Sequence, residues 1–145
     1  MDQPIVLVTF SCQSGEVEKL ALSAAVGAVQ ARALIRLRRL PDAGGSGEAL
    51  ARMRKEYVAP TEADILGADA LILAAGSDDV PWQGFLNLFH RLQNEGKLDR
   101  KVVATIGGLS SSFRGPGLIA VNEPTSDPIT LGRNVANKAR SIKSS

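Results

Sequence analysis

The chain is poor in the residues that usually announce a chemistry. Its single cysteine, Cys12, cannot form an internal disulfide, which suits a reducing cytoplasm. Its only histidine is His90. No carboxylate pair, metal-ligand cluster or Ser-His-Asp set has usable spacing. Six aromatic residues among 145 exclude an aromatic-rich scaffold and make the few that are present informative. Charge of one sign is missing as well: 17 Lys and Arg stand against 15 Asp and Glu, for a net charge of +2. Residues 1–72 hold eight bases and nine acids, and residues 73–145 hold nine and six. This balance argues against nucleic acid or an anionic membrane as the main partner. No apolar run approaches the length that inserts into or spans a bilayer. Met1-Asp2-Gln3-Pro4 leads into a strand-like run with no basic region or cleavage site, so a cytoplasmic protein is the expectation.

What is present is a 44% apolar chain, long enough for one domain over residues 1–145 that buries about two-thirds of its unfolded surface. Ile5 to Val8 is an uninterrupted β-branched and aliphatic run, of the kind found in strands covered on both faces. Beyond the small polar segment Ser11 to Gly15, residues Val17, Leu20, Ala21, Ala24 and Ala28 fall at helical spacing through about residue 31. Residues 33–40 alternate: Ile35 and Leu37 share one face while Arg36 and Arg38 take the other, which marks an edge strand. Pro41 to Gly47 reads as a loop, and Leu50, Met53 and Tyr57 have the spacing of a helical face. Thr61 with Asp64 three residues later resembles a capping box. Ala70 to Ala74 predicts a third strand, and Trp82 to Asn94 a helix with Phe85, Leu88, Phe89 and Leu92 inward. Lys101 to Ile106 and Gly117 to Val121 predict two more strands. Ser126-Asp127-Pro128 opens a last helix buried through Leu131, Val135, Ala139 and Ile142.

Strand and helix alternate throughout, which predicts a parallel sheet with helices on both faces. The ten residues Gly107 to Pro116 leave little room for a full helical crossover between strands four and five. Ligands in such sheets sit beyond the carboxyl ends of the strands, where the strand order reverses. Three segments there are small or polar: Ser11–Val17, Gly76–Trp82 and Gly107–Ser112. None has a dinucleotide Gly-x-Gly-x-x-Gly pattern or a Walker Gly-Lys-Ser, so a mononucleotide site is the better geometric match.

Three stretches carry a family resemblance. They are Val6-Leu7-Val8-Thr9-Phe10 running into Cys12-Gln13-Ser14-Gly15-Glu16-Val17-Glu18; Ala63 through Gly76; and Gly96-Lys97-Leu98 followed by Lys101-Val102-Val103-Ala104 and Gly107. The chain resembles the flavodoxin-like superfamily. Within it, the chain is similar to NAD(P)H:quinone oxidoreductases of the tryptophan-repressor-binding-protein (WrbA) type and their FMN reductase relatives. The resemblance implies an α/β three-layer sandwich whose five-stranded parallel sheet has the order 2-1-3-4-5. The shortened connection between strands four and five, read from Gly107 to Pro116, departs from the quinone reductases, in which it is longer. The resemblance also implies an FMN-dependent oxidoreductase passing electrons from NAD(P)H to a quinone or similar small-molecule acceptor, and self-association as a homodimer or higher homo-oligomer.

By the same resemblance, the first loop encloses the FMN phosphate with Ser11, Cys12, Gln13, Ser14, Gly15, Glu16 and Val17. Backbone N–H groups, hydroxyls and the helix dipole do the work there. Ser14 and Gly15 match the family pattern; Cys12 and Val17 replace two hydroxyl donors, and Glu16 adds a negative charge. Gly76, Ser77 and Asp78 form the second loop, with Trp82 as the stacking residue. Asp78 and Asp79 depart from the pattern and have a simpler role as helix caps. Gly107, Gly108 and Leu109 would offer backbone donors to the flavin's pyrimidine edge, and Phe113 would cover it. Each loop also has a plain reading, as a turn or as core packing. Cys12 reads as a semi-buried structural thiol ahead of a low-pKa thiol at a helix N-terminus. His90 reads as a partner-contact or surface residue ahead of a catalytic one, and Arg32, Arg36, Arg38 and Arg39 as a solvated stripe on an edge strand. The lost hydroxyls and added acids support an alternative: a flavodoxin-like module that no longer binds flavin and serves as a binding or scaffold domain. The positive net charge weighs against a simple flavodoxin-type carrier.

Overall fold

The computed structural model describes residues 3–11, 15–39, 52, 57–75, 80–106, 119–120 and 127–143. The aliphatic runs become five strands: β1 (Ile5–Ser11), β2 (Leu34–Arg39), β3 (Ala70–Ala75), β4 (Val102–Ile106) and β5 (Ile119–Ala120). They form one sheet of order β2-β1-β3-β4-β5, and every neighbouring pair is parallel. Among the described residues, four helices with defined bounds accompany them: α1 (Gly15–Gln30), α2 (Glu62–Gly67), α3 (Val80–Asn94) and α4 (Pro128–Lys143).

Alternation along the strands sends side chains to two layers. Val6, Val8 and Phe10 share one face with Ala70, Ile72, Ala74, Val102 and Ala104; α1 and α4 cover it through Ala21, Ala24, Ala28, Leu131, Val135 and Ala139. Leu7, Leu71, Leu73 and Val103 occupy the opposite face, packed against Ile65 of α2 and Phe89 and Leu92 of α3. The small residues of α1 bring it very close to α4. A Cβ added at Gly27 would lie 1.9 Å from the Ile129 carbonyl oxygen, and one added at Gly132 would lie 1.9 Å from that of Ala24. Backbone meets backbone there, and only glycine fits.

Helix ends are satisfied by side chains. Thr61 and Asp64 form the capping box of α2, and Asp127 accepts from the Ile129 amide at the start of α4. At the other ends, Lys101 donates to the Leu66 and Ala68 carbonyls, Arg140 to that of Ala31 and Arg100 to that of Ile142. These cations meet the negative ends of α2, α1 and α4 at the amino edge of the sheet.

Several sequence expectations need correction. α3 begins at Val80 rather than Trp82, because Pro81 needs no intrahelical N–H partner and is tolerated in a first turn. β5 is described at Ile119 and Ala120, which pair with Val102 and Val103 at the start of β4; the rest of the expected strand, Gly117, Leu118 and Val121, lies outside the described residues. The arginine stripe of β2 is not simply solvated. Ile35 and Leu37 do pack on the core, and β2 is an edge strand, but Arg38 is bound to Asp64 at 3.0 Å and Arg39 is 5% exposed. The loop 41–47, the helical face at Leu50 and Met53, and the connection from β4 to β5 lie outside the described residues.

Candidate functional site

Strand register decides which loops can act together. Ser11 at the end of β1 pairs with Ala75 at the end of β3, and Ala74 pairs with Ile106 at the end of β4. Three adjacent strands therefore finish on one rim, and the chain leaves each of them toward the same side of the sheet. β1 is also where the order reverses, with β2 on one side and β3 on the other. Such a switch point opens a crevice between two outgoing loops. α1 starts at Gly15 on that rim and α3 at Val80, so two helix N-termini, whose first N–H groups have no partner within the helix, are positioned there.

Of the expected site residues, Ser11 is the last of β1. Gly15, Glu16 and Val17 are the first three of α1, and Trp82 is the third of α3. Cys12, Gln13, Ser14, Gly76, Ser77, Asp78, Asp79, Gly107, Gly108, Leu109 and Phe113 lie outside the described residues. Two of the expected loops thus flank helix starts on the common rim, and the third leaves the adjacent strand. His90 is exposed on α3, its ring 6.3 Å from that of Phe89, as expected for a surface residue.

The structure adds a polar cluster that sequence spacing did not reveal. Glu18, in the first turn of α1, is only 5% exposed. Its Oε1 accepts from Arg52 Nη2 at 2.5 Å and its Oε2 from the Tyr57 hydroxyl at 2.8 Å. The Arg52 hydrogen bond outweighs burial and, with Tyr57 and the charge of Arg39, holds the Glu18 carboxyl below the usual carboxylate range. The Tyr57 ring meets Phe10 edge-on, with centroids 4.9 Å apart and planes at 89°. Glu18 and Tyr57 are 39 residues apart, so no local pattern could have paired them.

A second buried polar group lies deeper. Thr9 is 0% exposed, and its hydroxyl finds no hydrogen-bond partner among the described residues. Arg38 and Leu73 flank it in register. Among the described residues no group of three or more His, Cys, Asp or Glu is placed to hold a metal ion, and no helix is long and apolar enough to cross a membrane.

This rim can hold an anion in one respect and opposes it in another. The first turn of α1 carries two glutamates, but Glu18 is ion-paired with Arg52 and bound to Tyr57. Glu16 is the other acid of that turn. A phosphate held by backbone N–H groups fits the donors that remain.

No family model matches the chain, and no curated protein aligns with it significantly. Solved structures do match. A flavodoxin, WrbA-like protein from Agrobacterium tumefaciens is similar with a TM-score of 0.65 at 16% identity, over 96% of this chain and 99% of that one. A flavodoxin from Streptococcus pneumonia TIGR4 gives 0.62 at 14%, over 94% and 98%. A flavone reductase gives 0.63 at 13%, over 96% of this chain and 64% of that one. The fold is the flavodoxin-like fold.

Proposed function

We propose that this flavodoxin-like chain binds FMN at the carboxyl rim of β1, β3 and β4 and acts as an oxidoreductase between NAD(P)H and a quinone or similar small-molecule acceptor. The observation that carries the reading is the register, Ser11 with Ala75 and Ala74 with Ile106, which brings the ends of three strands side by side, each followed in sequence by small residues. Bound FMN supplies the redox chemistry, so no protein acid or base is required for its central step.

The chain's own part is to bind and orient. Ser14 and the N–H groups at Gly15 hold the phosphate at the start of α1, with Ser11, Cys12, Gln13, Glu16 and Val17 around it. Gly76, Ser77 and Asp78 line the second loop, and Trp82 stacks on the ring. Gly107, Gly108 and Leu109 offer backbone donors, and Phe113 covers the ring. The single cysteine and the proposed chemistry suit the cytoplasm, and self-association would complete an acceptor site between subunits.

Absorbance of the purified protein tests this directly. A yellow protein with flavin bands, or quenching of added FMN fluorescence, is the expected result. A colourless protein that fails to quench FMN would sink it. Trp82→Ala is expected to weaken FMN binding by about 1 kcal/mol or more; unchanged affinity would leave Trp82 as packing. For a flavin-positive protein, NAD(P)H oxidation with and without a quinone separates a reductase from a carrier. The carboxylates in the rim segments, Glu16, Asp78 and Asp79, favour the second reading, a flavin-free binding module, and FMN titration decides between the two.

A further inference from the structure

Phe10 and Glu18 stand on either side of the turn from β1 into α1, and a single distant side chain touches both. The Tyr57 ring packs edge-on against Phe10, and its hydroxyl donates to Glu18. Arg52 occupies the other carboxylate oxygen, and Arg39, paired with Phe10 in register, adds a buried positive charge whose field reaches Glu18. Both oxygens of Glu18 are therefore engaged from outside α1.

We propose that Tyr57, acting through Glu18, is a positioning residue: it fixes the first turn of α1 relative to the end of β1, and with it the N–H groups offered to the ligand phosphate. The functional half of this inference rests on the FMN reading; the structural half does not. Tyr57 is half-buried on the core face, and its ring contact alone accounts for packing. The hydroxyl contributes something separate, because it ends on a charged group held near a helix start. Hydrogen bonds to charged groups are the stronger kind, and losing one changes an equilibrium by about tenfold or more.

The experiment compares Tyr57→Phe, which keeps the ring and loses the hydroxyl, with Glu18→Gln, which keeps a hydrogen-bonding side chain and loses the charge. Amide hydrogen exchange of both variants is read in residues 19–22, the first amides bonded within α1 to carbonyls of its first turn, and, as an internal reference, in α4. The expected result is exchange at those amides about tenfold faster than any acceleration that a global loss of stability gives α4. Unchanged exchange at those amides, or equal acceleration in α4, overturns the positioning role. Binding of FMN and of riboflavin is then titrated for wild type and variants. FMN affinity is expected to fall about tenfold while riboflavin, which lacks the phosphate, binds as before. Equal loss for both ligands overturns the phosphate-directed role. If the wild type binds neither flavin, the FMN reading fails, and hydrogen exchange alone decides whether Tyr57 fixes the helix start.

Discussion

Thr9 places a hydroxyl in the apolar layer between the sheet and α3, with no partner among the described residues. A buried hydroxyl without a hydrogen bond costs more than the methyl that could replace it. Thr9→Val keeps the β-branched shape, so it is expected to raise stability by about 1 kcal/mol, read as a higher urea midpoint at unchanged m-value. Glu18 behaves in the opposite way, because its partners are made. Its folded pKa lies below the ordinary value of 4.5, so its contribution is complete about one pH unit or more above that value, where the unfolded carboxylate is ionised. That contribution is lost as pH falls through the lower folded value. Glu18→Gln is therefore expected to lose about 1–2 kcal/mol at pH 7, with the gap to wild type narrowing steadily as the pH is lowered below the ordinary carboxylate value, measured by urea unfolding across that range. Neither residue was legible beforehand. Thr9 reads as an ordinary β-former in a strand, and Glu18 as a solvated helix residue. Their significance comes from what a remote part of the chain does or does not bring against them.

Elements were far more legible than single contacts, since period and caps are local. The run Ile5 to Val8, the Thr61–Asp64 capping box and the Asp127-Pro128 start of α4 all stand where spacing placed them. Spacing could not show how close two helices come. Gly27 and Gly132 face each other's helix backbones across the α1–α4 contact, and neither helix can yield without moving the core beneath it. Gly27→Ala and Gly132→Ala are each expected to cost about 2–3 kcal/mol despite alanine's better helix propensity, visible as a lower thermal midpoint. A helix end offers the reverse case. Arg32 follows α1 with φ of 66°, a conformation that costs a side chain but not glycine. Arg32→Gly is expected to stabilise by about 0.5–1 kcal/mol, measured by chemical denaturation.

At the scale of the molecule, alternation of strand and helix predicts a parallel sheet, but the order of strands came from resemblance alone. Nothing in residues 5–11 states that β1 lies between β2 and β3; that follows from which apolar faces must be covered and from the right-handed crossover. The rim was legible for the same reason, because small residues after strands mark where chain and ligand approach closely. Which side chains converge there was not. Among the described residues, β5 is placed by the pairing of Ile119 and Ala120 with β4.

The cations that close the carbonyl ends of α1, α2 and α4 have a consequence for how a ligand arrives. Lys101, Arg140 and Arg100 offset the negative poles of those helices at the amino edge. The positive pole of α1 then stands less diluted by its own opposite end, at the rim where the three loops emerge. A full positive charge beside a half-charge pole leaves those helix ends net positive, so an anion is drawn to the amino edge as well as to the start of α1. Association of an anionic ligand should accordingly slow as salt is raised from ~0.01 to ~0.15 M, by less in Arg140→Gln, while a neutral ligand of similar size arrives at a rate indifferent to salt.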